Sequence, residues 1–120
     1  MCAESRYVEA GERTLRLFAP ALAQSPGGFS SLLAAQEEMQ VPPPTVLLAG
    51  DRHACRSWQR ALERTLRPSV RIFNVAGMAL PSELTKGPAP TDAAVAWVCR
   101  GTQCLPPLAS LEEVERELAR

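Results

Sequence analysis

The chain is short of groups that usually announce a chemistry. Among its 120 residues it has one histidine, His53, and no excess of charge, with thirteen Lys and Arg against thirteen Asp and Glu. A balanced chain has no electrostatic reason to seek nucleic acid or an anionic membrane surface, so neither is expected as a partner. No apolar run approaches the roughly 20 residues of a membrane-spanning helix, and the first residues, MCAESRYVEAGER, hold no apolar signal core. A cytoplasmic segment is expected. There is no G-x-G-x-x-G and no G-K-[ST] phosphate cradle. Internal repeats and low-complexity stretches are lacking too.

What is present suits one domain with a real core, since a chain of this length buries about two-thirds of its unfolded surface. Over residues 11–24, Leu15, Phe18 and Leu22 recur at helical spacing, with a bend or break expected at Pro20. Ser25-Pro26 reads as an N-cap followed by proline in a first turn, opening a second helix that carries Phe29, Leu32, Leu33, Gln36 and Met39. The triple proline at 42–44 is the clearest break in the chain. Beyond it, TVLLA reads as a buried strand that stops at Gly50-Asp51. The stripe Cys55, Trp58, Leu62, Leu66 reads as a helix ended by Pro68, and residues 70–75 as a second strand, which together make a βαβ unit. Residues 76–92 read as a loop with one helical turn near Ser82-Glu83-Leu84.

The run AAVAWVCRGTQCLPP follows. Val95, Trp97 and Cys99 alternate with the smaller Ala94, Ala96 and Val98, and Gly101-Thr102 can close a two-residue type II′ turn. That register sets Arg100 opposite Gln103 and Cys99 opposite Cys104, on a second strand kept short, and at an edge, by Pro106 and Pro107. Ser110 and Glu113 form a capping box ahead of a final helix striped by Leu111, Val114 and Leu118. The expected class is α/β (α+β): two N-terminal helices, then a small mixed sheet of three to four strands and a C-terminal helix.

The segment AWVCRGTQCLPPLASLEEVEREL resembles the C-terminus of the thioredoxin-domain-containing YyaL and spermatogenesis-associated protein 20 family, in which an aromatic-Val-Cys run precedes a second Cys, a proline pair and a capped last helix. The likeness extends back through Leu84-Thr85-Lys86-Gly87, TVLLAGD, FSSLLAAQEEM and GERTLRLFAPALAQ. The resemblance implies a parent with a thioredoxin-like domain and an (α/α) barrel similar to sugar 2-epimerases and six-hairpin glycosidases. Residues 1–40 would then correspond to the closing helices of that barrel and residues 44–120 to a small α/β C-terminal domain. There is no C-x-x-C to receive the family's redox site. The implied role is a non-catalytic structural module whose partner is the remainder of the parent. The alternatives are an enzyme fragment closing over a carbohydrate-type barrel site, or a redox or small-ligand module.

Candidate sites are few. Cys99 and Cys104 admit a reversible disulfide, part of a metal site, a reactive thiol, or packed inert thiols. Four free thiols are the default for a cytoplasmic chain that can build a core. Metal binding needs three or four ligands; His53 and Cys55 stand at i, i+2 and face apart on a helix, so neither metal nor cofactor is expected. Gly50 and Asp51 stand at the kind of strand end where open α/β sheets take ligands, although Asp51 equally suits a helix N-cap. His53, beside them, is the one imidazole a nucleophile could use, and the plainer reading is a solvated surface residue. Trp58 and Trp97 are expected in the core and Arg100 in solvent. Leu15, Phe18, Leu22, Phe29, Leu33 and Met39 give the two helices more apolar face than a small domain covers, which favours packing on the sheet or self-association.

Overall fold

The computed structural model describes residues 5–65, 69–80 and 87–120. The chain divides into two compact units, residues 1–42 and 43–120.

The first unit holds α1 (Ser5–Gln24), a 3-10 turn (Pro26–Phe29) and α2 (Ser30–Gln40). The break offered as one alternative at Pro20 is absent, because α1 runs through it. Proline removes one backbone donor, but the turn that follows is closed by Ser25 N–H donating to the Ala21 carbonyl at 3.0 Å. Ser25 stands at the N-cap position ahead of Pro26, as expected, but its side chain makes no capping bond. Two consecutive glycines disfavour helix, and 26–29 stops at a single 3-10 turn before α2 starts at Ser30. The Phe18 and Phe29 rings lie 6.5 Å apart. Phe18, Leu33 and Met39 remain exposed.

The second unit is an α/β (α+β) domain. A four-stranded mixed sheet in the order β2-β1-β3-β4 is built from β1 (Pro44–Gly50), β2 (Arg71–Asn74), β3 (Ala94–Arg100) and β4 (Gln103–Cys104), with α3 (Arg52–Arg64) and α4 (Leu111–Leu118). β1 and β2 are parallel, joined through α3 as the βαβ unit. β3 runs antiparallel to β1 and to β4. The expected end of α3 at Leu66 and Pro68, and the helical turn expected near Ser82-Glu83-Leu84, lie outside the described residues.

Alternation along the central strands sorts their side chains between two faces. Val46, Leu48, Ala96 and Val98 join Cys55 and Leu62 of α3 and Val114 of α4 in one buried cluster, flanked by Trp58, Ile72, Leu111 and Leu118. The small Ala94 and Ala96 leave room on that face for two helices. Leu47, Val95, Trp97 and Cys99 form a second buried cluster on the opposite face. Each buried aliphatic side chain contributes about 1.5–3 kcal/mol relative to exposure, and the central pair β1·β3 therefore holds most of this stabilisation.

The hairpin has the expected register, Cys99 with Cys104 and Arg100 with Gln103. Gly101 has φ 61°, and among the described residues no other residue type has positive φ, so Thr102 keeps a negative one, as a type II′ turn requires. Beyond β4 the chain stays on β3: Leu105 N–H donates to the Val98 carbonyl, and Leu108 and Ala96 exchange bonds of 2.8 and 3.0 Å. Ser110 Oγ accepts from Glu113 N–H, and the Glu113 carboxylate accepts from Ser110 N–H, both at 3.2 Å, closing the capping box.

Candidate functional site

A cleft of about 560 Å³ opens at the carboxyl ends of the parallel strands β1 and β2. Its floor is the second sheet face, where Leu47 and Trp97 are cross-strand partners, 3% and 6% exposed, with Ala49 beside them. Val75, Ala76, Gly77 and Met78, which follow β2, line it together with Ala89, Pro90 and Thr91, which precede β3. Gly50, Asp51 and Arg52 line its polar end.

Local chemistry explains each residue of that polar end. Gly50 has φ +115°, and a Cβ on it would collide with the Ala93 carbonyl oxygen. Glycine is needed there for a close approach of the chain to itself, which is a structural reason and not a ligand's. Asp51 is the N-cap of α3: its Oδ2 accepts from Ala54 N–H at 2.8 Å, and its own N–H donates to the Ala93 carbonyl at 2.9 Å. Arg52, the first residue of α3, extends its guanidinium over Gly77, where a Cβ would lie 2.5 to 2.9 Å from Nη2, Nε and Cζ. Gly77 is held to glycine by its backbone angle, φ +76°, while the exposed arginine above it could move aside for a Cβ. Asn74 organises the same turn, accepting from Ala76 N–H at 3.2 Å and donating to Gln59 Oε1 at 3.3 Å.

The other candidates are dispersed. His53 is exposed on α3 and does not line the cleft. Cys55 is a free, fully buried thiol; burial, and secondarily the Asp51 carboxylate, pushes its pKa up, which suits an inert thiol rather than a nucleophile. Among the described residues no three His, Cys, Asp or Glu side chains converge in a way that could hold a metal ion.

Cys99 and Cys104 depart from the expectation of four thiols, since they are joined in a disulfide with Cα atoms 3.9 Å apart. The reason is positional. A two-residue turn makes Arg100 and Gln103 the hydrogen-bonded pair, so the cysteines form the adjacent non-hydrogen-bonded pair, the closest approach in an antiparallel ladder. Arg100 is exposed, as expected, but it is also paired. Its Nη1 pairs with Glu117 Oε1 at 2.9 Å, and its Nη2 donates to the Glu117 carbonyl at 3.2 Å.

Sequence reasoning named Gly50, Asp51 and His53 near this strand end but missed Arg52, Gly77 and the cleft face of Trp97. The available signal was Gly77, three residues beyond the end of β2, whose partner strand β1 ends in Gly50. No family model matches the chain, and neither curated proteins nor solved structures give a significant match.

Proposed function

We propose that the chain is a non-catalytic structural module, the C-terminal part of a larger protein with a thioredoxin-like domain and a sugar-epimerase-like barrel, and that it works in the cytoplasm. The observation behind this reading is that four of the residues which could have carried chemistry are committed to the fold, while His53 stands exposed and away from the cleft. Asp51 caps α3, Gly50 packs on Ala93, Cys55 is buried, and Cys99 is bonded to Cys104. The exposed Phe18, Leu33 and Met39 of residues 1–42 are the surface that the remainder of the parent would cover. The test is deletion of residues 43–120 from the parent reading frame. A structural role predicts lowered thermal stability with kcat retained per folded molecule; a folded, equally stable deletion variant that has lost kcat would overturn it.

The cleft favours a second reading, a small-ligand module. Its volume falls within the roughly 300–1,000 Å³ of small-molecule sites, and its lining has their character, mostly apolar with a few polar groups at one end.

A further inference from the structure

We propose that the cleft at the carboxyl ends of β1 and β2 binds a small organic acid, a carboxylate carried on an apolar or aromatic body, with the carboxylate on Arg52. The inference rests on the small-ligand reading of the cleft and adds the chemistry of the occupant.

Among the described residues, two charged ones line the cleft, Asp51 and Arg52. Asp51 already uses a carboxylate oxygen on the Ala54 amide. Arg52 is different: among the described residues no carboxylate pairs with it, and its guanidinium donates to no protein acceptor. It lies against the Gly77 backbone, at a position where any other residue's Cβ would displace it. A guanidinium at the cleft's edge with its fork of N–H donors unused is suited to a planar carboxylate, which accepts two parallel bonds from it. The rest of the lining selects what the carboxylate is attached to. Leu47 and Trp97 supply a buried apolar and aromatic floor, and Met78, 65% exposed, supplies an adaptable thioether wall. A bare inorganic anion would leave that apolar surface unused.

Titration of the full chain with 4-phenylbutyrate, followed by amide and indole NMR shifts and by calorimetry, tests this, with 4-phenylbutyramide, acetate and inorganic phosphate as comparisons. The expected result is saturable binding of the acid, with shifts at Gly50, Asp51, Gly77, Met78 and the Trp97 indole. Arg52→Gln, on an exposed first helical position where loss of fold is not expected, should weaken binding about tenfold, or about 1.4 kcal/mol. Acid and amide binding equally in the cleft would overturn the anion inference and leave the small-ligand reading standing. No binding by either would remove both. An unchanged affinity in Arg52→Gln, shifts confined to other residues, or phosphate binding as well as the acid would each overturn the assignment.

Discussion

The Arg100 guanidinium reaches from the last residue of β3 to the last turn of α4, where it meets both the carboxylate and the backbone carbonyl of Glu117. The contact places a cation at a helix C-terminus, where the helix dipole favours it, and ties the hairpin to the final helix. Arg120 reaches the other Glu117 oxygen at 3.2 Å. Because the Arg100 side chain is 40% exposed and that of Glu117 is 15% exposed, solvent screens the pair. A double-mutant cycle of Arg100→Ala and Glu117→Ala should return a coupling of about 0.5–1 kcal/mol, smaller in molar salt. A coupling that does not change with salt would show the contact to be packing and not charge.

The disulfide should be visible without a structure. Alkylation of the native chain without reductant should leave Cys99 and Cys104 unmodified and linked in a peptide map, and Cys55 should react only after unfolding. The disulfide constrains a short loop of the unfolded chain, so removing it with Cys99→Ser and Cys104→Ser should lower stability by about 2 kcal/mol. Recovery of alkylated Cys99 and Cys104 from unreduced native protein would contradict the pairing.

Two glycines should answer oppositely to alanine. Gly50→Ala drives a Cβ into the Ala93 carbonyl at a positive φ and should cost about 2–3 kcal/mol or more. Gly11 lies inside α1 with nothing within 4 Å of the added carbon, so Gly11→Ala should stabilise by up to about 1 kcal/mol. Urea midpoints of the two variants check both signs. A tolerated Gly50→Ala would mean that the loop before β3 moves easily.

Cys55 gives a pH dependence of definite sign. Its folded pKa lies above the ordinary 9.0, through burial first and the Asp51 charge second. Above the ordinary thiol pKa the unfolded chain gives up a proton that the folded chain keeps, so the folded state binds more protons. The stability contribution is therefore complete below that pKa and is lost as pH climbs towards the folded value. The stability difference between wild type and Cys55→Ala should shrink as pH rises above 9.0 towards the raised folded value. A flat difference would place the thiol in an ordinary environment.

The parts of this fold legible in the sequence were those set by neighbours along the chain. Gly101 between opposed residues dictates the hairpin register, Ser110 with Glu113 dictates the start of α4, and the two apolar strands around an amphipathic helix dictate the βαβ unit. The parts not legible depend on residues distant in sequence. Nothing local shows that Arg100 will find Glu117, or that the guanidinium of Arg52 will lie over Gly77 and turn two ordinary loop residues into one end of a cleft. Pro20 did not end the helix, which continues through it to Gln24. For the cysteine pair, the positions were readable but the bond was not, since an argument from compartment was set against one from geometry.

The two proline residues after β4 have a consequence for how the sheet meets other chains. On that side Pro106 and Pro107 present no amides, and β4 spans two residues, so a foreign strand would find almost no ladder to continue. The opposite border is β2, four residues whose Phe73 ring is 46% exposed. Growth of this sheet by strand addition, whether into a larger assembly or an aggregate, is thus directed to the β2 border alone.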